Sequence, residues 1–354
     1  MPSEPFPPRP NLPTVPNDAA PLRTDPSAQR ADSGRPEIVP SDADGVRRGA
    51  ARLRAGRLVA MPTETVYGLA ARAVDRSAVG RVFAAKGRPA DHPLIVHLHD
   101  LDALGAWIDR PDDRIRALAE RFWPGPLTLI GPRADGVHDG VTGGHPTVAV
   151  RMPAHPVARA VLSALGDAVA APSANRFGHV SPTCARHVAD EFPLHDLLIL
   201  DGGPCAIGLE STIVDLSGRQ ARLLRPGAIA VSALEDVLGA PVSAPHDASV
   251  AAPGRRVSHY APDAVLRLID AHALPDAARS APDAALLLID APLPDGHRGP
   301  ARRLSDHPER YGRDLYAALR ALDASGASLL LVQRPPTASA WDPGHDPVAQ
   351  AAAP

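Results

Sequence analysis

The sequence predicts an α/β (α+β) protein: a large twisted mixed sheet with helices, followed by a smaller C-terminal Rossmann-like α/β domain. Three observations predict it. Short β-like runs alternate with helical periodicity from residue 41 onward. A stretch rich in Pro, Ala, Ser and Gly interrupts that alternation at 241–262, as a linker would. The alternation then resumes, and a chain of 354 residues holds about two domains at roughly 100–200 residues each.

Residues 1–40 carry eleven prolines and almost no apolar periodicity. Such a segment cannot offset its ordering entropy by burial, so a disordered tail is expected there. Order is expected from Ser41, as the N-cap of a helix carrying Val46, Ala50 and Leu53. The first domain, 41–240, then offers β-like runs at Arg57–Met61, Leu94–Leu98, Leu127–Gly131, Thr147–Arg151, Ala168–Ala171, Leu197–Asp201, Ser211–Leu216 and Ala221–Arg225. Helices are expected near Ser77–Ala85, Asp113–Arg121, Pro156–Leu165 and Cys184–Glu191. The second domain, 263–341, has strands at Val265–Ile269, Ala285–Ile289 and Ser328–Val332, with an amphipathic helix at Asp314–Leu322. Residues 342–354 read as frayed.

Composition narrows the function. A net charge of −3 provides no global attraction to nucleic acid or anionic membrane, so any basic site must be local. Two cysteines, Cys184 and Cys205, exclude a disulfide framework and a cysteine-rich zinc site. No apolar run approaches the ~18–20 residues of a membrane span, and the N-terminus lacks a secretory pattern, so a cytoplasmic setting is expected. The P-loop, GxGxxG, HExxH and GxSxG signatures are missing, and no metal-ligand set is visible.

The remaining motifs form a set of another kind. Pro62-Thr63-Glu64-Thr65-Val66-Tyr67-Gly68-Leu69 follows a β-like run and crowds hydroxyls and a carboxylate onto a strand-end turn, where α/β sheets place ligands. A plain polar turn capped by Thr63 is the competing reading. Lys86-Gly87-Arg88-Pro89 ends a helix with two cations, explained either by the helix dipole or as a phosphate clamp with Lys86 as point charge and Arg88 as bidentate fork. Trp123-Pro124-Gly125-Pro126 reads as structural. Arg151 ends an apolar strand, as a rim salt bridge or a ligand contact. Ala171-Pro172-Ser173-Ala174-Asn175 and Ser181-Pro182-Thr183 offer small residues, donors and acceptors to a base or ribose, or simply an Asx-type turn. Asp201-Gly202-Gly203, Glu210-Ser211-Thr212 and Leu224-Arg225-Pro226-Gly227 add backbone amides, hydroxyls and a further cation. A lone histidine such as His97 is more often structural than catalytic. Together these residues describe a cleft lined by cations, hydroxyls and amides, suited to stabilising the charge of a polyphosphate.

In this order, PTETVYGL, KGRP, HPLIVH, WPGPLT, TVAVRMPAHP, APSAN, SPT, DGG, ESTIVD, LLRPG and the linker segment HYAP resemble the YrdC-like threonylcarbamoyl-AMP synthase family, in its long two-domain form. The resemblance implies a YrdC-like catalytic fold and a nucleotidyltransferase that converts L-threonine, bicarbonate and ATP, with Mg2+, into threonylcarbamoyl-AMP and pyrophosphate. It implies that Thr65, His97, Arg151 and Ser211 hold L-threonine. Arg88, His92, Thr147, Ala171, Ser173, Asn175, Ser181 and Arg225 would hold ATP, with His259 and Tyr260 closing from the linker as a lid. Lys86 and Arg88 would be the catalytic cations, and no protein metal ligand is implied. The product would pass to a tRNA threonylcarbamoyl transferase for tRNA threonylcarbamoyladenosine formation, with no membrane partner. Two other readings are an RNA-binding module, for which aromatic content of 3% provides few stacking platforms, and carbamoyl transfer to a different acceptor.

Overall fold

The computed structural model describes residues 34–243, 262–341, 347–349 and 351–352. Most of the proline-rich segment and most of the expected linker, including His259 and Tyr260, lie outside the described residues.

The first sheet has ten strands. In chain order they are β1 (Glu37–Pro40), β2 (Val59–Met61), β3 (Gly68–Arg72), β4 (Ile95–His97), β5 (Leu127–Pro132), β6 (Thr147–Arg151), β7 (Val169–Ala170), β8 (Leu198–Asp201), β9 (Thr212–Asp215) and β10 (Arg222–Arg225). Their order across the sheet is β1-β8-β2-β3-β7-β4-β6-β5-β9-β10. The sheet is mixed: β8 pairs in parallel with β1 and β2, while β3 runs antiparallel to β2 and β7.

Two expectations at the N-terminus are corrected. Residues 37–40 are an edge strand rather than part of a disordered tail, because the backbone ladder to β8 orders them with only Val39 buried. Asp42, not Ser41, caps the Ala43–Arg54 helix, its carboxylate accepting from the amides of Asp44 and Gly45. The sequence reading also missed β3, whose residues Gly68–Ala71 are buried without the alternation that marks a half-exposed strand.

Strand periodicity distributes the core. Val59 and Met61 point toward the Ala43–Arg54 and Pro156–Leu165 helices, while Ala60 points the other way, toward the Arg76–Lys86 and Ala185–Glu191 helices. Further along the sheet, Val148 and Val150 of β6 join Val96, Leu129 and Val214 under the Asp113–Phe122 helix. The opposite face there carries only a small apolar cluster of Ile95, Ile130, Ala149, Ile213 and Leu224. That thinly covered face is where the cleft lies.

The second sheet is all parallel, in the order β11-β14-β12-β13, from β11 (Val265–Ile269), β12 (Ala285–Ile289), β13 (Ala301–Leu304) and β14 (Leu329–Gln333). Both faces are buried, as parallel sheets require: Leu286 and Leu288 pack against Leu274 and Ala278, while Leu287 and Ile289 pack against the Pro308–Asp323 helix. The strand β13 escaped the sequence reading because Ala301-Arg302-Arg303-Leu304 exposes both arginines. The chain end is not uniformly frayed: Val348 and Ala351 are buried in the same apolar cluster as Tyr311 and Trp341.

The Pro308–Asp323 helix also packs against the first domain. Gly208, with φ at +75°, lies so close to it that a Cβ would sit 2.2 Å from the Arg313 carbonyl oxygen. Gly208→Ala should therefore combine left-handed strain with a backbone clash and lower stability by more than the roughly 1–2 kcal/mol of strain alone. Gly239→Ala, at φ +61° with open space around the new carbon, should show the strain only. Urea unfolding of the two variants beside the parent protein checks the difference.

Candidate active site

Arg151 is the centre of the cleft floor. It ends β6 on the same face as Ala149, and its Cα is paired with that of His97 on β4. With only 3% of its surface exposed, the guanidinium needs partners. Its Nη1 donates to Thr65 Oγ1 at 2.9 Å and its Nε to the Gly125 carbonyl at 3.2 Å. Its Nη2 lies 2.6 Å from Glu64 Oε1, and Glu64 Oε2 accepts from the Ala154 amide at 3.0 Å. Burial pushes the Glu64 carboxyl up, but the charge and hydrogen bonding of Arg151 outweigh it and hold the group below its ordinary value. Nε and Nη1 each spend one N–H in these hydrogen bonds, while Nη2 meets Glu64 as an ion pair without hydrogen-bond geometry, so both terminal nitrogens keep donor capacity for an incoming carboxylate.

The turn that presents Thr65 is shaped by Thr63. Its hydroxyl donates to the Val66 carbonyl at 2.6 Å, accepts from the amides of Thr65 and Val66, and sits 2.8 Å from Thr65 Oγ1. The PTETVYGL segment is thus a hydroxyl-closed turn between β2 and β3 with a fixed face toward the cleft. Tyr67 points the other way and joins the Asp201-Gly202-Gly203 loop, donating to the Gly203 carbonyl at 2.8 Å.

His97 is buried beside Arg151. Burial, reinforced by the Arg151 charge, depresses its pKa from 6.5 to about 3, so the ring is neutral at physiological pH. Nδ1 lies 3.2 Å from the Ile95 carbonyl, which fixes it as the donor and leaves Nε2 as an acceptor.

On the other side, Ser211 and Arg225 form a second polar group. Arg225 Nη2 donates to Ser211 Oγ at 3.0 Å and its Nε to the Ser211 carbonyl at 3.0 Å, while Ser211 Oγ sits 2.7 Å from Thr128 Oγ1. Arg88 enters from the end of the Arg76–Lys86 helix. Gly87, at φ +61°, terminates that helix in the left-handed conformation and turns Arg88 into the cleft wall, where Nη2 donates to the Pro93 carbonyl at 2.9 Å.

Of the residues named from sequence, Thr65, Arg88, His97, Arg151, Ala171, Ser173, Ser211 and Arg225 line this one cleft. Among the described residues, Lys86, His92, Thr147, Asn175 and Ser181 do not line it. Lys86, expected as a catalytic point charge, is buried with its ammonium donating to the carbonyls of Ser173, at 2.5 Å, and Asn175. Burial, with the nearby Arg88 charge, lowers its pKa well below the ordinary value. Here it anchors the 173–175 loop. Asn175 closes its own loop, donating to the Arg176 and His179 carbonyls. His92 stacks edge-on against Phe177 at 5.4 Å, and Thr147 lies at the far end of β6 from Arg151. Ser181 reaches the cleft only through Glu210, to which its hydroxyl donates at 2.6 Å. Glu64 and Glu210 stood in motifs that sequence reasoning named, but neither was assigned a site role. The adjacency of each to a named residue, Thr65 and Ser211, was the available signal. Among the described residues no cluster of three or more His, Cys, Asp or Glu side chains suits a metal ion, and no helix is long and apolar enough to cross a membrane.

Comparison with known proteins agrees with this architecture. Residues 51–227 match the Sua5–YciO–YrdC family model, described as telomere recombination. Residues 229–353 match the model described as the C-terminal domain of threonylcarbamoyl-AMP synthase. The chain belongs to the long, two-domain Sua5 family. Among Sua5-type relatives, a threonylcarbamoyl-AMP synthase of Pyrococcus abyssi (strain GE5 / Orsay) is 39% identical over 300 residues, covering 81% of this chain and 88% of the relative. One of Bacillus subtilis (strain 168) is 43% identical over 231 residues, covering 64% of this chain and 66% of the relative. The crystal structure of P. abyssi Sua5 complexed with L-threonine superposes with a TM-score of 0.81 at 35% identity, covering 90% of this chain and 96% of that one.

Neutral His97 makes acid stability a readout of the Sua5-type floor. Unfolded, its imidazole takes up a proton near pH 6.5; folded, it does not until about pH 3. The unfolded state binds more protons between these values, so His97 subtracts up to about 1.4 kcal/mol of stability per pH unit as pH falls through that window. Urea unfolding at pH 7, 6 and 5 should show a shallower loss for His97→Gln than for the parent protein.

Proposed function

We propose that this protein is an L-threonylcarbamoyladenylate synthase, converting L-threonine, bicarbonate and ATP into threonylcarbamoyl-AMP and pyrophosphate. The observation that carries the reading is one cleft in which Arg151, with Thr65 and neutral His97, stands across from Arg88 and Arg225. The first group suits an amino acid and the second a polyphosphate. The relatives named threonylcarbamoyl-AMP synthase favour this enzyme over an RNA-binding module or a carbamoyl transferase for another acceptor.

In this reading the terminal nitrogens of Arg151 fork onto the threonine carboxylate. Thr65 Oγ1 and Ser211 Oγ stand near its polar groups, and His97 Nε2 accepts one hydrogen bond from the substrate. Bicarbonate takes up a proton and loses water to give CO2, and the threonine amine adds to the CO2 with release of a proton, forming a carbamate. A carbamate oxygen forms a bond to the α-phosphorus as the bond to the β-phosphate bridging oxygen breaks, and pyrophosphate leaves with that electron pair. Arg88 and Arg225 offset the charge that collects on the phosphoryl oxygens, without a covalent protein nucleophile. Ala171 and Ser173 supply a small, close wall suited to the nucleoside. His92, Thr147, Asn175 and Ser181 support the ATP side from behind, and Lys86 holds the Ser173–Asn175 loop in place. Mg2+ enters as part of the MgATP substrate and neutralises phosphate charge. Glu210 is the cleft carboxylate of the right chemistry to approach it.

The product is a carbamic–phosphoric anhydride, activated toward an amine nucleophile. A tRNA threonylcarbamoyl transferase acting on adenosine is its natural consumer. The cysteines Cys184 and Cys205 are unpaired, in keeping with a cytoplasmic setting.

Incubation with ATP, Mg2+, bicarbonate and L-threonine should release pyrophosphate only when threonine is present, with a product of the mass of threonylcarbamoyl-AMP. Threonine-independent release, or none, would refute the assignment. Arg151→Lys keeps the charge but loses the fork, and should raise the KM for threonine about tenfold or more with a smaller change in the KM for ATP, as steady-state kinetics would show.

A further inference from the structure

The C-terminal domain touches the cleft at a polar point. Tyr316, on the Pro308–Asp323 helix, is fully buried, and its hydroxyl donates to Glu210 Oε2 at 2.6 Å. The other carboxylate oxygen, Oε1, accepts from Ser181 Oγ at 2.6 Å. Glu210 is itself 9% exposed, lines the cleft, and immediately precedes the Ser211 that Arg225 grips. A short charge-assisted hydrogen bond from each domain therefore fixes this carboxylate.

The helix grips the same wall elsewhere. Arg320, one turn on, donates to the Val180 and Ser181 carbonyls and pairs with Glu191 at 2.9 Å. Val66 of the PTETVYGL turn, which lines the cleft, belongs to the same apolar cluster as Tyr316 and Leu319. Packing alone does not call for the Tyr316 hydroxyl. Tyr311, on the same helix, is equally buried, and its hydroxyl has no partner among the described residues.

We propose that Tyr316 is a positioning residue for the adenylation reaction: from the C-terminal domain it holds the Glu210 carboxylate in place, making that domain a working part of the MgATP wall. A carboxylate with one hydrogen bond removed is free to swing toward the phosphates or toward Ser211, misplacing the donors beside it. This rests on the reading of the cleft as an ATP and threonine site.

The full-length protein with Tyr316→Phe tests it. The affinity for ATP, titrated calorimetrically without threonine, should fall about tenfold, the loss of one hydrogen bond to a charged group. The KM for ATP in pyrophosphate release should rise in parallel, with the KM for threonine within twofold of the parent value. Tyr311→Phe should leave both unchanged. Leu319→Ala loosens the same interface without touching Glu210, and should lower the Tm while leaving ATP affinity intact. Parent-like ATP affinity in Tyr316→Phe, or an equal loss in Leu319→Ala, overturns the proposal. If Tyr316→Phe does not fold, Glu210→Gln decides, because it keeps Tyr316 and removes the charge its hydroxyl holds. ATP affinity should fall by a similar factor with the KM for threonine within twofold of the parent value, and parent-like ATP affinity overturns the proposal. Because the titration needs no turnover, a parent protein without threonine-dependent pyrophosphate release would sink the assigned reaction and still leave the role of Tyr316 measurable.

Discussion

A buried guanidinium cannot be left without compensation, and the Sua5-type cleft is organised around that constraint at Arg151. Its charge is balanced by Glu64, its geometry is held by Thr65 and the Gly125 carbonyl, and Glu64 is in turn held by the Ala154 amide. These partners come from the β2–β3 turn, the entry to β5 and the segment after β6. One ion pair thus pins three connections to the sheet. Removing one member of such a buried pair typically costs about 3–5 kcal/mol, because the other charge is stranded. The network that holds Arg151 does so at the cleft lining, so structural anchoring and ligand presentation fall on one side chain.

The position of the cleft follows from the sheet rather than from the strand ends alone. Period-two alternation puts Arg151 and His97 on the face opposite the one covered by the Asp113–Phe122 helix. Only a small apolar cluster fills that face, and polar groups from the β2–β3 turn, the Ser173 loop and the Ser211–Arg225 pair close around it. Much of such a site is preorganised, because Thr65, Arg151, Glu210, Ser211 and Arg225 are each held by another side chain before any ligand arrives. The C-terminal domain extends the same logic, its long helix meeting the 208–211 segment at a distance that only glycine at 208 permits.

Much of this was legible in the sequence because local chemistry decided it. The strand runs at 127–132, 147–151 and 212–215 were visible from apolar runs flanked by turn residues. The cleft residues Arg88, Arg151, Ser173, Ser211 and Arg225 were visible because each stands in a short motif with turn chemistry beside it. The family resemblance ordered those motifs into a single reaction, and the Sua5 family matches over residues 51–227 and 229–353 agree with it. Where the sequence reading failed, the failures have physical causes. A strand with both faces buried, such as Gly68–Arg72, has no alternation to detect, and an edge strand such as Glu37–Pro40 is made by its partner, not by its own residues.

Which side chains face the ligand could not be read in one dimension. Lys86 and Arg88 stand two residues apart in one motif, yet the left-handed Gly87 between them sends the lysine behind the wall and the arginine into it. Glu64 carried no partner in the sequence reading, and its partner lies 87 positions away by number, at Arg151. Glu210 draws its two hydrogen bonds from Ser181 and from Tyr316 of another domain. The sequence by itself determined the residue types of the PTETVYGL turn, the cations and the hydroxyls, because reaction chemistry and turn geometry restrict them locally. Only the tertiary structure decided their partners, because burial of charge is settled by contacts between segments far apart in the chain.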